Sequence, residues 1–171
     1  MGKMNLEIFQ NMEKDDLLKY LEFLLWHYRV VDSFWFLHVE EAHGRETAEK
    51  LNEEVWARVG PRSIRDLKTY FNIREEGLDG LEKALRLFPW TNIGGHQIRK
   101  TDSEIILTVP RCPPQVARLK RGLGEYDCKD MHKREFINAA KEMDPRIRVE
   151  CDFAPPDPHP KDLFCKWRFF L

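Results

Sequence analysis

The chain lacks a surplus of either charge. Its 28 Lys and Arg residues are matched by 29 Asp and Glu residues, which leaves a formal net charge of -1 at pH 7. A protein without a global positive field has no long-range attraction for phosphate groups. The composition therefore argues against nucleic-acid binding, and we expect no nucleic-acid partner.

Long hydrophobic runs are also missing. The most apolar stretch lies within residues 30–39 and is interrupted by Asp32, whereas a membrane-spanning helix needs about 20 such residues. The first residues mix charged side chains with apolar ones, unlike a secretory signal. We expect a cytoplasmic protein with no membrane partner. A length of 171 residues with 42% hydrophobic side chains predicts one globular core.

Cysteine is absent from the first ninety residues, which also hold only two of the ten prolines. All four cysteines and the other eight prolines lie between residue 110 and the end of the chain. This change in composition predicts a helical part over residues 1–90 and an α+β, cysteine-containing part over residues 91–171. We expect the two parts to form one compact unit.

The first part reads as helical. No Pro or Gly interrupts residues 15–43, and apolar side chains, Trp35 among them, recur there at spacings of three and four. We expect this stripe to face the core and Gly44 to end the helix. Three further helices are predicted, over residues 46–59, 64–71 and 80–88. Gly60 and Pro61 are expected to end the first of these helices and separate it from the second.

The second part changes its hydrophobic period. Short apolar or alternating segments predict strands at residues 97–99, 104–109, 147–153 and 163–171. Two helices are predicted between them, at residues 114–121 and 132–143. The pattern favours an α+β fold, in which the helical part packs on a four-stranded antiparallel sheet with two helices.

The four cysteines are the sharpest chemical signal. Cys112, Cys128, Cys151 and Cys165 all lie in the predicted sheet region. An even number of cysteines in a cytoplasmic chain favours metal binding over disulfides. Cys112 follows one predicted strand, Cys128 precedes a helix, and the other two lie inside strands. If the strands pair as expected, the four thiols converge at one end of the sheet.

Two metal centres, structural zinc and an iron–sulfur cluster, are the candidates for this pattern. Structural zinc usually takes cysteine pairs about two to four residues apart, which this chain lacks. Wide spacing is compatible with a cubane iron–sulfur cluster, and Cys112-Pro113 is an arrangement seen with cluster ligands. The third alternative is that the cysteines are buried apolar side chains and bind no metal.

Three polar residues of the second part are candidate catalytic groups. His159 and Asp157 lie in a proline-rich loop, whose stiffness can hold a functional side chain in place. The alternative is a structural connection with an exposed histidine. His132 is a further candidate proton donor.

In the first part, Asp32 interrupts an apolar run. It either pairs with Arg29 on the outer face of the helix or lines a pocket between the helices and the sheet. In the second case Trp26, Trp35 and Phe36 are the expected walls of the pocket.

A family resemblance rests on these same segments. The four cysteines lie in TVPRCPPQVARLKRGLGEYDCKDMHKREFINAAKEMDPRIRVECDFAPPDPHPKDLFCKWRF. This segment resembles a family of small prokaryotic proteins labelled L-2-amino-thiazoline-4-carboxylic acid hydrolase-like. The upstream segment VDSFWFLHVEEAHGRETAEKLNEEVW looks like the helical part of that family. More distantly, the layout is similar to the ligand-binding domain named after vinyl reductases, which has a helical part, an antiparallel sheet and a cysteine-containing metal site.

The resemblance implies that the four cysteines match the cysteine pattern of the family and that a small organic ligand binds between helices and sheet. We therefore expect a metal-containing, small-molecule-binding protein with an iron–sulfur cluster or zinc. The alternative is a metal-dependent hydrolase or lyase that acts on a small thiazoline-like substrate. The sequence has no G-x-S-x-G or nucleotide-binding motif, and nothing in the match identifies a catalytic base.

Overall fold

Six α-helices and a four-stranded antiparallel sheet make up the fold, in a computed structural model that describes residues 4–171. This confirms the predicted α+β class. In chain order the elements are α1 (Lys14–His43), α2 (Arg45–Tyr70), α3 (Gly77–Leu87), α4 (Pro89–Gly94), β1 (Gln97–Lys100), β2 (Glu104–Val109), α5 (Pro113–Lys120), α6 (Lys129–Met143), β3 (Arg148–Phe153) and β4 (Cys165–Phe170).

The last strand lies inside the sheet, whose order is β1-β2-β4-β3. Trp167 of β4 is opposite Leu107 of β2 on one side and Cys151 of β3 on the other. Because side chains alternate along a strand, Trp167 and Phe169 point to the covered face of the sheet and are fully buried. Arg168 points to the open face, where it pairs with acidic side chains of the neighbouring strands.

The main core lies between the sheet and helices α3 and α6. Phe136 of α6 packs edge-on against Trp167 and Phe169, with ring centroids 5.2 and 5.5 Å apart. Such edge-to-face pairs add to the free energy gained by burying the rings. Helix α2 packs along α6, and α1 packs on α2 and α4. The helices are therefore stacked outward from the sheet, with α1 outermost.

Helix α2 is continuous through Gly60 and Pro61, so the predicted break at that position is wrong. Proline has no N–H to donate to the carbonyl four residues earlier. In this fold the carbonyl of Ala57 instead accepts a hydrogen bond of 2.9 Å from the side-chain amide of Asn138 on α6. Gly60 permits the close approach, because a Cβ there would lie 2.9 Å from the carbonyl oxygen of Glu135. Packing against α6 thus compensates for the sequence that would end the helix.

Helix α1 differs from the prediction in a second way. It begins and ends close to the expected residues, and Gly44 stops it, yet none of its thirty described residues is buried. The apolar stripe expected to face the core is exposed, and Trp35 shows 70% of its surface. Even so, none of the helices in residues 4–171 is both long and apolar enough to cross a bilayer.

The opposite edge of α1 contacts the rest of the molecule. Phe36 packs against Tyr126 with ring centroids 5.1 Å apart. Glu40 accepts two hydrogen bonds, of 2.7 and 3.0 Å, from the buried guanidinium of Arg118. These contacts attach the carboxyl-terminal half of α1 to α5 and to the loop that precedes α6.

Candidate functional site

A cavity lies between the helical layer and the sheet. The volume that the centre of a water-sized sphere can occupy in it is about 60 Å³. Residues of α1, α2 and α4 line one side, and residues of β2, α6 and the amino-terminal end of α5 line the other. The position between two structural layers is typical of sites for small molecules.

Aromatic rings form much of the wall. The lining residues include Trp56, Trp90, Tyr126 and Phe136, and the indoles of Trp56 and Trp90 meet edge to face at 6.3 Å. The indole N–H of Trp90 is buried and has no well-aligned hydrogen-bond acceptor within residues 4–171. The hydroxyl-bearing ring of Tyr28 lies next to it, with centroids 6.3 Å apart.

Two carboxylates border the cavity. Glu135 is only 3% exposed and accepts a hydrogen bond from its neighbour His132. Asp32, on α1, has no hydrogen-bond or ion-pair partner among the described residues. Burial, and secondarily the negative charge of Glu135, raise the pKa of Asp32 to about 6. No Lys or Arg occurs among the described residues that line this cavity.

Two imidazoles complete the polar part of the cavity. The Nδ1 atom of His132 lies 2.9 Å from Oε2 of Glu135, three residues later on α6, which fixes the ring and leaves Nε2 free. Burial lowers the pKa of His96 to about 4, so this ring is neutral at physiological pH. Burial, followed by the charge of Asp32, also raises the pKa of Tyr28 to about 12.

Local backbone features place His96 at the wall. The ring of His96 packs over Gly94, where a Cβ would lie 2.6 Å from the Nε2 atom, so a side chain at this position would displace the imidazole. Gly95 ends α4 in the left-handed conformation, with φ of 61°, and turns the chain toward β1. The two glycines that precede this strand in sequence therefore shape the cavity.

The four predicted metal ligands lie on or beside different helices and strands. Cys112 and Cys128 are the N-cap residues of α5 and α6, and both line the cavity. Cys151 and Cys165 lie in β3 and β4 and contact the main core. All four are free thiols.

The thiols interact electrostatically but are strongly desolvated. Burial raises the pKa of Cys112 and Cys151 to about 11 and that of Cys165 to about 12. Burial, and secondarily the nearby Cys112 and Cys165, also raise the pKa of Cys128 well above its usual value. Within residues 4–171 there is no group of three or more His, Cys, Asp or Glu side chains that could hold a metal ion. The four-cysteine centre stays a prediction.

Of the candidate catalytic residues, only His132 lines the cavity. The Nε2 atom of His159 is 3.1 Å from Glu125, and Asp157 forms an ion pair of 2.8 Å with Lys129. Burial opposes protonation of His159, but its hydrogen bonds to Pro160 and Glu125 raise its pKa overall. The side-chain hydrogen bond from Lys129 lowers the pKa of Asp157. Both loop residues have a structural partner.

The predicted pocket walls separate into two groups. Asp32 lines the cavity, and Phe36 lines a neighbouring cavity that shares Asp32 with it. Trp35 lines only the open groove between α1 and α2, and Trp26 lines none of the cavities described here and is 50% exposed. The predicted pairing of Asp32 with Arg29 does not occur among the described contacts.

Sequence reasoning missed Glu135 and His96. Glu135 follows Met131 by four residues and immediately precedes Phe136, so it lies on the buried stripe of α6. A charged side chain on an apolar helix face is a signal that would have identified it. His96 has no comparable signal, because burial of a residue beside a short strand depends on the tertiary fold.

The solved structures to which this chain is similar include a trafficking protein particle complex subunit 3 from Naegleria fowleri, covalently bound to palmitic acid. The similarity has a TM-score of 0.47 at 12% sequence identity, and covers 89% of this chain and 95% of that one. No curated protein matches the chain. The model of the family of unknown function DUF6125 matches residues 10–171, and the chain belongs to this family.

Proposed function

We propose that the protein binds a small organic molecule in the cavity between the helical layer and the sheet. The single observation that supports this most strongly is Asp32, a largely buried carboxylate on the cavity wall without a partner among the described residues. Leaving a charged group desolvated and unpaired costs free energy, and proteins accept that cost mainly at functional sites.

The surroundings of Asp32 support the same proposal. Aromatic side chains supply a large apolar surface, while Glu135, His96 and His132 supply a few converging polar groups. This combination is typical of small-molecule sites.

Binding can be followed through the tryptophans. A library of rigid fragments, containing cationic, neutral and anionic members, is screened by intrinsic fluorescence and by amide chemical shifts. Trp56 and Trp90 line the cavity and Trp35 does not, so the double variant Trp56→Phe/Trp90→Phe should remove the ligand-induced fluorescence change while Trp35→Phe should retain it. The proposal fails if no fragment binds, or if shifts are confined to amides outside the cavity.

The metal centre is a separate proposal. Its support is the position of Cys112 and Cys128 on the wall of one cavity. Protein purified without oxygen should contain either iron and acid-labile sulfide or about one zinc per chain. Cys151→Ser should then lose the metal. Wild-type protein without iron or zinc would mean that the cysteines only pack in the core.

A further inference from the structure

We propose that the molecule bound in the cavity is a small organic cation, an amine or an amidine, held between Asp32 and Glu135 and packed against Trp56 and Trp90. This inference rests on the proposed function, because it names the class of ligand for the same cavity. It is drawn from the charges and the rings that line the cavity.

The carboxylates that line the cavity have no Lys or Arg beside them among the described lining residues. They are Asp32 and Glu135. Burial, and secondarily the negative charge of Glu135, raise the pKa of Asp32. A positive ligand would offset the charge of Glu135 and would also compensate the buried charge of Asp32.

The protein's own cations do not neutralise both carboxylates. His96 is neutral at pH 7 because burial lowers its pKa to about 4. His132 is engaged with Glu135 and can compensate at most that one charge. Arg118 borders the neighbouring cavity that Asp32 also lines, but its guanidinium is bound to Glu40.

The aromatic wall suits a cation as well. Trp is the best of the aromatic side chains at attracting a positive charge over its ring face. Trp56 and Trp90 meet edge to face, so their ring planes present differently oriented surfaces to the cavity. Carboxylates and indole rings together stabilise a desolvated cation more than either does alone.

Three probes of similar shape separate charge from size. Benzylamine is a cation at pH 7.5, benzyl alcohol is neutral and benzoate is an anion. Their affinities are measured by calorimetry for the wild-type chain, for Asp32→Asn and for the surface control Glu41→Gln. We expect wild-type protein to prefer benzylammonium over benzyl alcohol by at least about tenfold. Asp32→Asn should remove most of this preference and change alcohol binding little, and Glu41→Gln should change neither.

The outcomes distinguish the two proposals. Equal binding of the alcohol and the amine, or tighter binding of benzoate, would overturn the cationic ligand and leave a small-molecule site in place. A preference for the amine that survives in Asp32→Asn would also overturn the assigned role of Asp32. If none of the three probes binds and the fragment library yields no ligand either, both proposals fall.

A second inference rests on α1 and is independent of the cavity. We infer that α1 pairs with the α1 of a second copy of this chain. Nine large apolar side chains lie on one arc of the helix and are each at least about one-third exposed: Leu17, Tyr20, Leu21, Phe23, Leu24, Tyr28, Val31, Phe34 and Trp35. Their exposed surface is on the order of 800–1,000 Å², and one side of a standard protein interface buries about 800 Å².

The spacing along α1 favours a second copy over an unrelated partner. Phe23 and Phe34 are equally distant from the midpoint between Tyr28 and Arg29, so two antiparallel copies place these rings opposite one another. A twofold interface requires this kind of self-complementary surface. The formal net charge of -1 adds little repulsion between copies.

Light scattering after size-exclusion chromatography tests this pairing at about 100 μM protein. The wild-type chain should elute with twice the single-chain mass of 20.4 kDa. The double variant Phe34→Glu/Trp35→Glu should elute with the single-chain mass and an unchanged helical circular-dichroism signal. Leu87→Glu is the control: it likewise replaces an exposed apolar side chain with an acidic one, but on α3. This variant should stay dimeric. A wild-type chain of single mass, or a double variant that stays dimeric, would overturn the inference.

Discussion

Helix α1 has thirty residues and buries none of them, whereas β4 has six residues and buries three. Both segments are rich in aromatic side chains, so hydrophobicity does not distinguish them. Strand β4 is covered because it has a hydrogen-bonded strand on each side and α6 across its inner face. Helix α1 contacts the body of the molecule along a single edge. The number of neighbouring elements, more than side-chain composition, decides which aromatic residue is buried.

The largest expected difference is between two tryptophans of these segments. Trp167→Ala removes a fully buried indole and should reduce the free energy of unfolding by about 3–5 kcal/mol. Trp35→Ala removes an indole that is 70% exposed and should change it by less than about 0.5 kcal/mol. Urea unfolding at the lowest practical protein concentration measures both. A loss at Trp35 close to that at Trp167 would show that α1 is covered in solution.

A second prediction concerns the contact that attaches α1. Glu40→Gln leaves the guanidinium of Arg118, only 7% exposed, without its charged partner and should lower the free energy of unfolding by about 2–3 kcal/mol. Glu41→Gln is the matched control, because it changes the next residue, whose side chain is exposed. It should have almost no effect on the free energy of unfolding.

The pH dependence of this contact has a defined sign. The hydrogen bond from Arg118 lowers the pKa of Glu40 in the folded protein, so the stabilisation is complete above the unfolded-state pKa of about 4.3. It is lost as pH falls through the lower, folded-state value. The difference between wild type and Glu40→Gln should therefore shrink at acidic pH, and a difference that stays constant would contradict the assigned ion pair.

Much of the fold could be predicted from local sequence patterns. The four strands, the two helices between them and the Gly44 stop lie within a few residues of the expected positions. These features depend on short-range periodicity and turn chemistry, which the sequence shows directly. The helix predicted over residues 80–88 corresponds to α3, and Pro89 then begins α4, where its missing N–H costs nothing.

The errors occur where tertiary packing decides the structure. Nothing local indicates that Asn138 would satisfy the carbonyl freed by Pro61, so the continuity of α2 could not be foreseen. The orientation of α1 is a second case, because an apolar stripe does not specify which element covers it. For the same reason only one of the predicted pocket walls, Asp32, lines the cavity, while His96 joins it through long-range folding.

The smallest predicted change in the free energy of unfolding is an increase, whereas the first two predicted changes are decreases. Burial and Glu135 raise the pKa of Asp32 to about 6, so the folded protein binds a proton there more tightly than the unfolded chain does. Stability should therefore decrease as pH rises from about 4 to 6, and the full penalty should remain at pH 7. Asp32→Asn removes the charge and should raise the free energy of unfolding at pH 7 by about 1–2 kcal/mol, after allowance for partial solvent screening.

Several titratable or charged groups lie near Asp32 and also affect how stability depends on pH: Tyr28, His96, Arg118, Arg121, His132 and Glu135.

Below about pH 4 both proteins carry a neutral side chain at position 32, so their stabilities should converge. Convergence separates the charge of Asp32 from a packing effect of the amide, which would persist at every pH. A variant that is less stable than wild type at pH 7 would mean that the carboxylate has a partner in the folded protein. A more stable variant that has also lost the cation preference would show that the cavity keeps a destabilising charge because the ligand uses it.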